Sequence, residues 1–370
     1  MPDVRRLLGA LLLICAAALP ASSQEAGGQA PPAASSSDKP YFIVLPVVYY
    51  TPETRVAFGA AGEYNFSFDG GARDTRPSSL GFIFIYTQNR QTQLEMKPEI
   101  YLPRDGYSID GGLKYELMPQ NFYGIGPAVP ADPVEKFTPR SFGASASLRK
   151  RLTKRLFVGV QYDFDHTGIV TVEPGGQIDS GAMPGSQGGT VSGIGAILKV
   201  DSRDNVQFPR RGRHLAFTFD GYAAAFGSDY GYTRTRADYR SYWPARGRDV
   251  VAVQAFVEAM TGDVPFYRLA RLGGQSMMRG YYRGQYRDKA LVAIQGEYRA
   301  QIWKRIGAAV FAGLGEVCGG LSTCRATNVL PSAGAGIRFR LDSRGGMNFR
   351  TDFAWGRSTH GVYFTVQEAF

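Results

Sequence analysis

The chain has 370 residues with 44% hydrophobic residues, and Gly (46), Tyr (21) and Phe (23) are abundant. No run of eighteen apolar residues occurs, which excludes a spanning helix as the anchor. The formal net charge of +10 comes from Arg and Lys dispersed among apolar residues and acids; this is no nucleic-acid-binding stripe, and it is compatible with contact to anionic lipid.

The amino terminus reads as a secretory signal over residues 1–23. Arg5 and Arg6 are followed by an apolar core from Leu7 to Leu19, and Ala21-Ser22-Ser23 offers small residues before Gln24. Cys15 follows the bulky Ile14, which disfavours a lipidated cysteine. Residues 24–40, rich in Ala, Ser, Gly and Pro, read as a disordered linker.

From residue 41 to 370 apolar and polar residues alternate with period two. Leu94, Met96 and Ile100 face away from Glu95, Lys97 and Glu99. Ile109, Leu113, Tyr115 and Leu117 oppose Asp110, Lys114 and Glu116. Val158, Val160, Tyr162 and Phe164 oppose Gly159, Gln161, Asp163 and Asp165. Val292, Ile294, Tyr298 and Ile302 oppose Gln295, Glu297, Arg299 and Gln301. A large β-sandwich also alternates, but repeated charge on one face of many strands suits an all-β transmembrane antiparallel barrel, apolar outside and polar within. Closure satisfies every backbone group in hydrocarbon.

Sixteen strands are expected, starting near Tyr41, Arg55, Ser79, Gln91, Tyr107, Ser141, Arg155, Gly189, Arg213, Gly231, Asp249, Lys289, Arg305, Asn328, Met347 and His360. Alternate links are short (Pro103 to Gly106, Thr153-Lys154, Ala245 to Arg248, Lys304, Asp342 to Gly346). The others include long ones (Gln120 to Pro139, His166 to Gly188, Thr261 to Asp288, Cys318 to Thr327). Turns on one rim and loops on the other are the outer-membrane pattern. Asp69 to Ser78 is long for the turn rim, whereas Thr51 to Glu53 and Arg357 to Thr359 are short for the loop rim. Pro46, in the first strand, cannot donate to a ladder; it either weakens a seam with the last strand or merely precedes the paired segment. In an oxidising compartment Cys318 and Cys324 read as a disulfide closing a small loop. The last strand, from Thr359 onward, carries Gly361, Phe364, Val366 and then Phe370, a pattern similar to the insertion signal read by the outer-membrane assembly machinery.

The longest ordered link contains Arg271-Leu272-Gly273-Gly274-Gln275-Ser276-Met277-Met278-Arg279-Gly280-Tyr281. This resembles the Gly-Gly…Arg-Gly-Tyr/Phe signature of the BamA/TamA-like surface-antigen superfamily. Gly296-Glu297-Tyr298-Arg299 resembles that family's strand after the loop. Asp201, Arg203, Asp204, Pro209 and Gly212 lie in a stretch resembling its long turn after strand eight. The resemblance covers essentially the whole barrel and implies that the loop folds into the lumen, with Arg279, Gly280 and Tyr281 at its tip and Glu297 as acidic partner. One departure stands out: Gly313 occupies the place of a family aspartate, and Asp352 is the carboxylate that would compensate. Independently, a buried arginine needs a partner, and its planar fork suits a carboxylate. The competing reading puts Arg279 on a solvated surface loop.

The resemblance implies protein insertion or translocation at the outer membrane. Only the short linker precedes the barrel, so no POTRA domain is expected, and a periplasmic partner protein would gather the client. The alternative is a small-solute channel gated by the Arg-Gly-Tyr loop, which the charges Glu95, Lys97, Asp110, Lys114, Asp163, Arg234, Arg236, Asp238 and Arg240 would favour; they would equally fill the interior as ion pairs. Expected partners are outer-membrane lipids and the assembly machinery that inserts the chain itself. The three histidines, His166, His214 and His360, are scattered without a nucleophile at a recognisable spacing, so an enzyme is not expected, although His360 lies near Ser358. No cofactor or metal is implied.

Overall fold

A computed structural model describes residues 40–51, 55–67, 78–205, 208–340 and 348–370. The expected signal segment, nearly all of the linker, and the links at 52–54, 68–77 and 341–347 lie outside the described residues.

Period-two alternation becomes structure because successive side chains of a strand point to opposite faces. Sixteen long strands result: β1 (Tyr41–Thr51), β2 (Arg55–Phe66), β3 (Ser78–Thr87), β4 (Thr92–Tyr101), β5 (Tyr107–Leu117), β6 (Glu135–Arg151), β7 (Leu156–Val172) and β8 (Gly189–Asp201). They continue with β9 (Gly212–Tyr222), β10 (Tyr232–Pro244), β11 (Val250–Gly262), β12 (Ala290–Trp303), β13 (Ile306–Cys318), β14 (Leu330–Arg340), β15 (Asn348–Trp355) and β16 (His360–Val366). Each pairs antiparallel with the next. Short strands at Gln120–Phe122, Ala270–Arg271 and Arg287–Asp288 belong to loops.

The two faces differ as a bilayer requires. On β12, Ile294 is 52% exposed while Glu297 is 2% exposed. The same outward apolar row continues through Val310 and Leu314 on β13, Ile337 and Phe339 on β14, and Phe353 and Trp355 on β15. In water a contiguous belt of this kind marks an interaction or aggregation surface; in hydrocarbon it is the face that meets lipid. Among the described residues no helix is long and apolar enough to cross a membrane. The crossing is made by strands.

The first difference from the sequence expectation lies in the β6–β7 hairpin. β6 begins at Glu135 rather than near Ser141, and β7 continues to Val172 through part of the expected loop from His166 to Gly188. A register shift between Thr138 and Pro139 admits the proline to the ladder, as bulges do. The upper part of the hairpin therefore still pairs.

Loops close one mouth of the barrel. Phe122, Phe137, Ile178, Phe266, Leu272 and Tyr281 join an apolar cluster drawn from three long links and the strand tips. Beneath it lies a cavity of about 530 Å3 lined largely by polar and charged side chains. Most of those charges interlock: Lys97 with Glu95 at 2.8 Å, Arg236 with Glu258 at 3.2 Å, Arg240 with Asp238 at 2.5 Å, and Arg149 with Asp110.

The ring has one distinct place. β1 is in register only with β2, and β16 only with β15; among the described residues no register joins β16 to β1. Pro46 lies on β1 opposite Ala60 of β2 and points outward.

Candidate functional site

The link from β11 to β12 enters the lumen. Its entrance is held by Arg268, which pairs with Asp163 of β7 and lies 3.8 Å from Asp165. Arg234 of β10 shares Asp163 at 3.6 Å, and the Tyr222 hydroxyl donates to it at 2.8 Å.

The tip is held more deeply. Arg279 Nη2 donates to Glu297 Oε2 at 2.6 Å, and Nη1 donates to Asp352 Oδ2 at 2.6 Å. All three side chains are fully shielded from solvent. The guanidinium also lies over the Phe311 ring, 3.4 Å from its centroid, where the ring's negative face attracts a cation. These two carboxylates serve three more arginines. Arg338 reaches Asp352 at 2.5 Å and Glu297 at 3.2 Å; Arg299 reaches Glu297 at 2.8 Å; Arg350 reaches Asp352 at 3.1 Å. Burying four cations beside two carboxylates is tolerable only when each acid oxygen is hydrogen-bonded. Here each is.

The backbone of the tip is fixed as well. Ser332 Oγ donates to the Arg279 carbonyl, and Thr359 Oγ1 to the Gly280 carbonyl. Gly280 N donates to the Tyr363 hydroxyl at 2.9 Å. The Tyr281 hydroxyl donates to the Pro331 carbonyl at 2.6 Å and accepts from Arg357 N at 2.8 Å. Gly280 has φ 107°, and a Cβ there would lie 2.6 Å from the Trp355 carbonyl carbon. Only glycine fits that position.

The place of Gly313 is now explained sterically. A Cβ at Gly313 would meet Gln295 Cβ at 3.0 Å and Met278 Sδ at 3.1 Å. The loop's own methionine fills the space an aspartate would use, and the second carboxylate comes from Asp352 on β15.

Sequence reasoning missed Arg268, Arg338, Arg350 and Ser332. Arg338 and Arg350 stand on the inward face beside outward Ile337, Phe339 and Phe353, so alternation could have placed them, but not joined Arg338 to Glu297 two strands away. The turn from β8 to β9 is organised by its two aspartates. Asp201 accepts from Arg203 Nε at 2.9 Å and Nη2 at 2.7 Å; Asp204 accepts from the amides of Arg210 at 3.0 Å and Arg211 at 3.2 Å. Pro209 is buried, and Gly212 has φ 104°. Cys318 and Cys324 are disulfide-bonded in the β13–β14 loop.

The end of the last strand departs from expectation. Gly361 and Phe364 lie on β16, which stops at Val366, and Phe370 is not on the lipid face. It turns inward and is buried beside Tyr242, Val250, Ala252 and Ala369. Gln367, with φ 76°, makes the turn.

One known family matches this chain. The Omp85 superfamily domain matches residues 61–370. The chain belongs to the Omp85 superfamily. Among solved structures, BamA from Haemophilus ducreyi lacking POTRA domains 1-3 is similar at a TM-score of 0.59 and 15% identity, covering 89% of this chain and 69% of that one. CdiB from Acinetobacter baumannii is similar at a TM-score of 0.56 and 11% identity, over 89% of this chain and 59% of that chain. CdiB from Escherichia coli gives 0.58 and 11%, over 89% and 62%. This chain thus spans about three fifths of the CdiB chains. At these identities the likeness shows the Omp85 fold alone. No curated protein matches. As an Omp85 barrel, the protein resides in the bacterial outer membrane, with outer-membrane lipid around its apolar belt.

Proposed function

We propose that this Omp85 barrel inserts or translocates polypeptide at the outer membrane through the seam between β1 and β16. The observation that carries the reading is that no register joins them among the described residues, whereas even the shortest neighbouring ladder, β15–β16, pairs seven residues from Phe349↔Val366 to Trp355↔His360. An unpaired edge exposes backbone donors and acceptors, which a client strand satisfies by pairing. The Arg279 cluster then acts as a lock, holding the loop against β12 and β15 so that the wall beside the seam keeps its shape. Recruitment of a client falls to a periplasmic partner protein.

The solute-channel alternative is less favoured, because the apolar loop cluster closes the mouth and paired charges crowd the cavity. The test is reconstitution. Vesicles carrying the protein should speed insertion of a urea-unfolded eight-stranded outer-membrane barrel over empty vesicles. They should also outpace vesicles carrying a barrel with a fully paired ring. No acceleration over either control, with large, steady and selective currents in a planar bilayer, would replace the reading by the channel.

A further inference from the structure

Residues past the end of β16 do not continue the barrel wall; they run across its turn-side mouth on the inside. Gln367 N donates to the Asn348 carbonyl at 2.9 Å as the chain turns. Glu368 then accepts from Arg338 Nε at 3.0 Å and from Asn348 Nδ2 at 2.9 Å. The Phe370 carbonyl accepts from Arg299 Nη2 at 2.9 Å, and the same guanidinium lies 5.5 Å from the centre of the Phe370 ring. Tyr242 of β10 and Val250 and Ala252 of β11 complete an apolar seat for that ring. The tail therefore bridges from β15 and β16 to β10, β11 and β12.

Arg338 and Arg299 are also members of the Arg279 cluster. Arg338 grips Asp352 and Glu297 with its two terminal nitrogens and Glu368 with Nε. Arg299 Nε serves Glu297 at 2.8 Å and stands 3.6 Å from Glu368. Loop tip and tail are thus two ends of one buried ionic chain.

We infer that residues 367–370 form an internal latch on the last strand, coupled through Arg338 and Arg299 to the Arg279 loop. Withdrawing Arg279 takes the 2.6 Å donor from Glu297 Oε2 and from Asp352 Oδ2. Arg338 and Arg299 turn toward them and release Glu368 and the Phe370 carbonyl. A freed tail no longer holds β16 inward at the very strand that faces the seam. The loop on the outer side of the barrel thereby controls an edge whose latch lies on the inner side. This goes beyond the insertion reading and does not require it, since the coupling is a property of the barrel alone.

The experiment uses Ala369→Cys as a reporter, because Ala369 is 8% exposed and Cys318 and Cys324 are tied up in their disulfide. Labelling by a polar maleimide is timed on the detergent-solubilised, heat-modifiable barrel. Glu368→Gln should speed labelling roughly ten- to hundredfold, as expected for loss of a hydrogen-bonded charge. Arg279→Ala, which does not touch the tail, should also speed it by at least about tenfold. Arg279→Lys, the variant kept in case the alanine form does not fold, should fall between wild type and Arg279→Ala. Lys97→Met, in a separate lumen pair, should leave the rate unchanged. An unchanged rate in Glu368→Gln removes the latch. A fast rate in Glu368→Gln with wild-type rates in both Arg279 variants removes the coupling, as does an equal rise in Lys97→Met. None of these rates depends on client insertion, so failure of the proposed function would leave them readable.

Discussion

Two arginines of the same loop, Arg279 and Arg287, are both buried, and their surroundings are opposite. Arg279 is shared between two carboxylates on strands far apart in sequence. Among the described residues Arg287 bonds to backbone carbonyls, Gly284 at 3.0 Å and Asn121 at 3.4 Å, with the Phe122 ring beside it. Among the described residues no carboxylate pairs with it. Burial and the adjacent Arg271 guanidinium both push Arg287 below the usual arginine range. A buried charge with counter-charges joins two parts of a molecule. A buried charge without them ties one loop to another at an electrostatic cost. The first is a connection to the wall; the second is internal to the lid.

Arg279→Ala breaks the comparison most severely. Removing one partner of a buried pair costs about 3–5 kcal/mol, so the temperature at which the folded barrel loses its compact electrophoretic mobility should fall, and single-barrel currents should flicker and grow. Arg279→Lys keeps the charge but not the fork that reaches Glu297 and Asp352 together; its melting should lie between wild type and alanine, and equality with wild type would show that charge alone suffices. Gly313→Asp, which supplies the aspartate that the resemblance implies, should destabilise by about 1–3 kcal/mol through overpacking against Met278 and Gln295, with recovery when Met278→Ala is added. The smallest effect, and the one of opposite sign, belongs to Arg287→Met. Replacing a buried cation that lacks a carboxylate by an apolar side chain should be neutral or stabilise by up to about 1 kcal/mol. A loss as large as that of Arg279→Ala would erase the distinction between the two sites.

Much of the barrel was readable because lipid imposes a strict rule on each strand, apolar out and polar in, that involves only neighbours in sequence. The β6 start is hidden for a local reason: Glu135 to Arg140 is mostly polar and contains Pro139, so it reads as loop, yet a bulge carries the ladder through it. The Arg279–Glu297 pair was readable only through resemblance, whereas Arg338 and Glu368 were not, because they meet past the turn at Gln367, a closeness that alternation along one strand does not encode. Alternation extrapolated past Val366 would keep Phe370 on the outer face; a single turn at Gln367 reverses it.

The β6–β7 hairpin has a consequence for how the cell is seen from outside. Each of its strands has 17 residues, a length of roughly 55 Å that, tilted by about 40°, rises well beyond an apolar band about 25 Å tall. Its crest therefore stands beyond that band on the outer side of the membrane as a stiff, hydrogen-bonded ridge.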